Sequence, residues 1–85
     1  MNIADLLQTS AATRPDHAAL VFEGRTYTFE ELDRLTNRFA ASLRAGGVVT
    51  GQVIALLLES GPELVIAALG AFKAGVVPNV VNAML

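Results

Sequence analysis

Hydrophobic residues recur along this chain with two different periods, and the switches between them mark out its elements. Ile3, Leu6 and Leu7 share one helical face, with Asn2 placed to cap the helix and Asp5 in the first turn, where the helix dipole favours an acid. Arg14-Pro15-Asp16 ends that helix. The apolar run from Ala18 to Phe22 and the extended run from Arg25 to Thr28 flank Glu23-Gly24, which predicts a β-hairpin. A second helix starts at Thr28, where Thr28 and Glu31 have capping-box spacing and Tyr27 and Leu32 occupy the positions of a hydrophobic staple. Leu32, Leu35, Phe39 and Leu43 then repeat every three or four residues and predict its core face, while Asp33, Arg34, Arg38 and Arg44 lie mostly off that stripe. Gly46-Gly47 stops it.

Beyond Gly51 the pattern changes. Val53 to Leu58 is nearly all apolar, which predicts a strand covered on both faces, as in a parallel sheet. Ser60 and Glu63 repeat the capping-box spacing, with Pro62 tolerated in the first helical turn. The helix from Glu63 to Ala74 has hardly any polar side and is expected to be buried nearly all round. Gly75 ends it, and Val76, Val77, Val80 and Val81 form the next extended segment, so residues 53 to 81 make one βαβ unit. The expected fold class is α/β: an N-terminal helix, a β-hairpin, an amphipathic helix and a βαβ unit.

Composition adds a constraint. Of the 85 residues 53% are hydrophobic and 16% charged, and from Ala45 onward the only charges are Glu59, Glu63 and Lys73. A domain of this size buries only about 60–65% of the surface its unfolded chain exposes. So apolar a half needs other layers over it, and the isolated chain is expected to self-associate. A net charge of −2 argues against a nucleic-acid partner, because Arg34, Arg38 and Arg44 are too few and too interleaved with acids to form a basic face. There is no cysteine for a disulfide, thiolate nucleophile or zinc site. Residues 1–5 lack the features of a signal peptide, and Glu59, Pro62, Glu63, Lys73 and Pro78 break the apolar half well short of a transmembrane segment. A soluble, cytoplasmic protein is expected.

Two stretches carry a resemblance. Tyr27-Thr28-Phe29-Glu30-Glu31-Leu32 is similar to a Leu-Thr/Ser-Tyr-x-Glu-Leu pattern, keeping Thr28, Glu31 and Leu32. Phe72 to Asn82 is similar to Leu-Lys-Ala-Gly, four variable residues, then Pro-Leu/Ile-Asp/Asn: Lys73, Ala74, Gly75 and Asn82 fit, Val80 stands at the proline position, and Pro78 arrives two residues early. With Pro15 to Leu20, then Asn37, Ala40 and Leu43, then Gly51 before the apolar strand, the chain resembles the start of the adenylate-forming superfamily: acyl-CoA synthetases, peptide-synthetase adenylation domains and luciferases.

The resemblance implies that residues 1–85 are the N-terminal segment of an AMP-binding (adenylation) domain, not a complete domain, with the C-terminal domain absent. It implies, for the full-length enzyme, an acid–thiol ligase of fatty acid metabolism, an acyl-CoA synthetase that uses ATP and Mg to turn a carboxylic acid substrate into an acyl-adenylate and then passes the acyl group to coenzyme A. Asn82, where amino-acid-activating domains more often carry Asp, leans that way. The alternatives are a peptide-synthetase-type adenylation domain and a stand-alone, non-catalytic assembly module paired with a separately supplied remainder. The family's Ser/Thr/Gly-rich loop with Pro-Lys, its Tyr-Gly-x-Thr-Glu stretch, ribose-binding Asp and C-terminal lysine have no counterpart here. No catalytic, cofactor-binding or metal residue is therefore assigned, and the segment's partner is the remainder of the adenylation domain.

Individual residues support that assignment. Lys73, in the last helical turn, offsets the dipole. His17, the only histidine, is read as a solvated turn residue, around which no metal set assembles. Ser10 and Ser42 have no His and acid at readable spacing, and Ser60 reads as a cap. No phosphate-loop pattern passes through Gly46, Gly47 and Gly51. Glu30, Glu31 and Asp33 read as a solvated first turn, with a carboxylate pair for acid–base work as the alternative.

Overall fold

In a computed structural model, which describes residues 3–58 and 61–82, the order is α1 (Ile3–Thr13), β1 (Ala18–Phe22), β2 (Arg25–Thr28), α2 (Phe29–Ala45), β3 (Val53–Leu58), α3 (Pro62–Lys73) and β4 (Val77–Asn82). β1 and β2 form the expected hairpin; Glu23 (φ +49°) and Gly24 (φ +81°) both turn left-handed, as a tight hairpin turn demands. β3 and β4 are parallel neighbours joined through α3, with Val53 opposite Val77 and Leu56 opposite Val80. Pro78 does not divert β4. The Val77 N–H donates to the Gln52 carbonyl at 2.8 Å, so Val77 faces β3 and the donor that Pro78 lacks would have pointed to the other edge.

The centre is the packing of α2 on α3, the most extensive contact between elements. Here the predicted stripe is corrected. The buried residues of α2 are Leu32, Thr36 and Ala40, while Leu35, Phe39 and Leu43 are half-buried. Small residues bring the helices close: Ala67, Gly70 and Ala71 are buried on α3, and a Cβ on Gly70 would lie 2.9 Å from the Thr36 carbonyl oxygen and 2.8 Å from Phe39 Cδ2. At that distance long side chains are pushed aside, and the face centres on the smallest ones. Thr36 is fully buried, and its hydroxyl donates back to the Leu32 and Asp33 carbonyls, each at 2.9 Å.

Both helices end in the same way. Val48 N–H bonds the Leu43 carbonyl and Gly47 N–H that of Arg44; Val76 N–H bonds the Ala71 carbonyl and Gly75 N–H that of Phe72. Each is a Schellman motif with a left-handed glycine (Gly47 φ +89°, Gly75 φ +74°). The apolar residue after each glycine then turns inward, and Val48 and Val76 meet Ala40, Leu43, Ile54, Ala71 and Ala74 in one cluster. Val76 is 1% exposed, a burial worth about 1.5–3 kcal/mol.

Two further expectations are corrected. β3 is covered on one face only among the described residues: Leu56 is buried and Ile54 packs on the core, but Val53 is 65% exposed because nothing described lies over that side. α3 is not enclosed all round either among the described residues, since Phe72 is 44% exposed. Asn2 and Ser60, read as caps, fall outside the described residues; α3 is flanked by Gly61, which offers no side-chain cap, with Pro62 in its first turn.

Candidate functional site

The chemistry-bearing side chains gather around the two ends of α2. At its start three N–H donors are taken from within the chain: Phe29 N–H donates to the His17 carbonyl (3.0 Å), Glu30 N–H to the Pro15 carbonyl (3.1 Å), and Glu31 N–H to Thr28 Oγ1 (3.1 Å). The loop 15–17 thus closes the helix N-terminus, the end that would otherwise attract an anion. Thr28 caps as expected, with Tyr27 and Leu32 both buried beside it. His17 contributes its carbonyl, with an exposed side chain, so it acts through the backbone alone.

The three acids of this turn separate. Glu31 pairs with Arg25 at 3.6 Å, and the Arg25 guanidinium also stacks on the Tyr27 ring, 4.2 Å from its centroid. Asp33 points to α3. Glu30 is exposed. They do not form a carboxylate pair.

Lys73 is the residue whose expected role changes. Its ammonium leaves the end of its own helix and donates to Asp33 Oδ1, to the Asp33 carbonyl (3.2 Å) and to Asn37 Oδ1 (2.8 Å), with only 10% of the side chain exposed. Arg44, from the last turn of α2, takes the place at the end of α3 by donating to the Lys73 carbonyl at 2.9 Å. The two cations therefore cross-link the helices. Reading α3 alone could not show this, because the acceptors lie 36 and 40 residues away; Asn37 in the family pattern was the one available signal.

Two concavities flank these groups. A groove of about 420 Å³ runs along α2, lined by Glu30, Asp33, Arg34, Asn37, Arg38 and Ala41. A cleft of about 260 Å³ lies where α1, the hairpin, α2 and α3 meet, lined by Leu6, Leu7, Ser10, Ala19, Phe29, Leu32 and Leu69. The first has its central Asp33 and Asn37 already bonded to Lys73, and the second offers one hydroxyl in an apolar lining. Among the described residues no three His, Cys, Asp or Glu side chains are placed to hold a metal ion, and no helix is long and apolar enough to cross a membrane. The Ser42 hydroxyl donates to the Arg38 carbonyl at 3.0 Å, and Ser10 lines the apolar cleft.

Gly75 shows why its motif has the form it does. Its φ is positive, and a Cβ there would lie 2.9 Å from Thr50 Cγ2, because the loop before β3 docks on this turn through Gly51 N–H to the Gly75 carbonyl at 2.8 Å. Lys73 holds α3 to α2, and Gly75 sets β4 beside β3. Residues 7–85 match the family profile described as AMP-binding enzyme. The chain belongs to the AMP-binding enzyme family. Tyrocidine synthase 2 of Brevibacillus parabrevis is 45% identical over 73 residues, which are 86% of this chain and 2% of that protein. Among solved structures, the NpsA N-terminal subdomain of Klebsiella oxytoca in complex with anthranilyl-AMSN superimposes with a TM-score of 0.91 at 31% identity, over 98% of this chain and 22% of that one. The o-succinylbenzoate CoA synthetase MenE of Bacillus subtilis, in complex with its acyl-adenylate intermediate, gives 0.84 at 36% identity, over 89% of this chain and 16% of that one. The α/β fold is therefore that of the N-terminal domains of adenylate-forming enzymes, and the chain spans a small part of each relative's length.

Proposed function

We propose that this chain is a scaffold segment of an adenylation domain of the peptide-synthetase type, in an enzyme that uses Mg-ATP to activate a carboxylic acid as its acyl-adenylate and then transfers it to a carrier-protein thiol, in the cytoplasm. The observation that carries this reading is the likeness to tyrocidine synthase 2, at 45% identity over nearly the whole chain. A related solved protein is an artificially fused adenylation–carrier didomain containing NpsA. Mg-ATP does not fit the residues in hand: the described chain offers no set of metal ligands, and the N-terminal N–H groups of α2 are already bonded. Stabilising an acyl-phosphate transition state needs placed donors, cations and metal. Thr28, Glu31, Lys73 and Gly75 serve the fold that carries such groups.

A second reading, an acid–thiol ligase that delivers the acyl group to coenzyme A, is favoured by the 36% identity to MenE and by Asn82. Offering coenzyme A and a phosphopantetheinylated carrier protein, in separate assays, to the enzyme encoded by the reading frame that holds these residues decides between the two. Transfer to the carrier alone is expected. Transfer to coenzyme A alone would replace the first reading by the second, and failure of both with every acid tried would remove the ligase reading.

A further inference from the structure

We draw no further inference here: the strongest candidate, the apolar cleft of about 260 Å³ around Ser10 where α1, the β-hairpin, α2 and α3 meet, is an unpartnered apolar surface, and nothing in the structure shows what covers it.

Discussion

Gly70→Ala sets two physical effects of opposite sign against each other. In the middle of α3, alanine should gain about 1 kcal/mol over glycine in helix propensity. The packing predicts a net loss. The added Cβ would lie 2.8 Å from Phe39 Cδ2, 2.9 Å from Phe39 Cβ and 2.9 Å from the Thr36 carbonyl oxygen. Turning the Phe39 ring removes only the first clash, since the other two atoms are fixed to the α2 backbone, so α3 must retreat from α2. Overpacking costs about 1–3 kcal/mol, and rigid obstacles place this site at the upper end. Against the propensity gain, the net destabilisation is about 2 kcal/mol. With a denaturant slope near 1 kcal/mol per molar, the urea midpoint followed by circular dichroism should fall by about 2 M. Phe39→Ala in the same chain should restore little, because its Cβ and the Thr36 carbonyl remain. A Gly70→Ala protein as stable as the parent, or more stable, would show that α2 and α3 are not held at this separation.

Thr28→Ala should cost about 1 kcal/mol through loss of the bond from Glu31 N–H, with Thr28→Ser close to the parent in the same urea titration; equal losses in both would mean that the threonine methyl, not the cap, carries the effect. Gly75→Ala should cost about 1–2 kcal/mol from its positive φ alone, and more from the Thr50 contact, so Thr50→Ala should recover part but not all of the loss in a double-mutant cycle; complete recovery would refute the backbone contribution. Lys73→Met should cost about 1.5–3 kcal/mol, the range for hydrogen bonds to charged groups, and its coupling to Asp33→Asn should change little with salt because the pair is mostly covered. The purified 85-residue chain, with Val53, Val77, Val80 and Phe72 uncovered, should sediment as self-associated species at micromolar concentration; a sharp monomer would show that the open sheet face is tolerated in water.

The features legible in the sequence were those set by neighbours in the chain. The hairpin bounds, the Thr28 cap and the strand–helix–strand order of residues 53–82 follow from turn chemistry and short-range periodicity, and each appears where the residues indicate. What the periodicity misplaced depends on contact across the chain. Large residues mark the α2 stripe in the sequence, whereas the close approach of Gly70 selects Thr36 and Ala40. The sequence next to Lys73 indicates only the dipole of α3, because the acceptors of its ammonium sit on another helix. The run Val53 to Leu58 reads as doubly covered, and the single cover observed at Ile54 and Leu56 shows that such a pattern describes the surroundings a strand is suited to.

The central claim is that these residues build and hold an adenylation fold without touching its ligand. It is tested most directly in the NpsA N-terminal subdomain carrying this chain in place of its own corresponding stretch, by measuring melting temperature and anthranilyl-AMSN affinity for Thr28→Ala and Lys73→Met side by side. Both variants are expected to melt several degrees lower, with affinity within about twofold of the parent, a difference under 0.5 kcal/mol. A tenfold loss of affinity at an unchanged melting temperature would place either residue at the ligand and contradict the scaffold role.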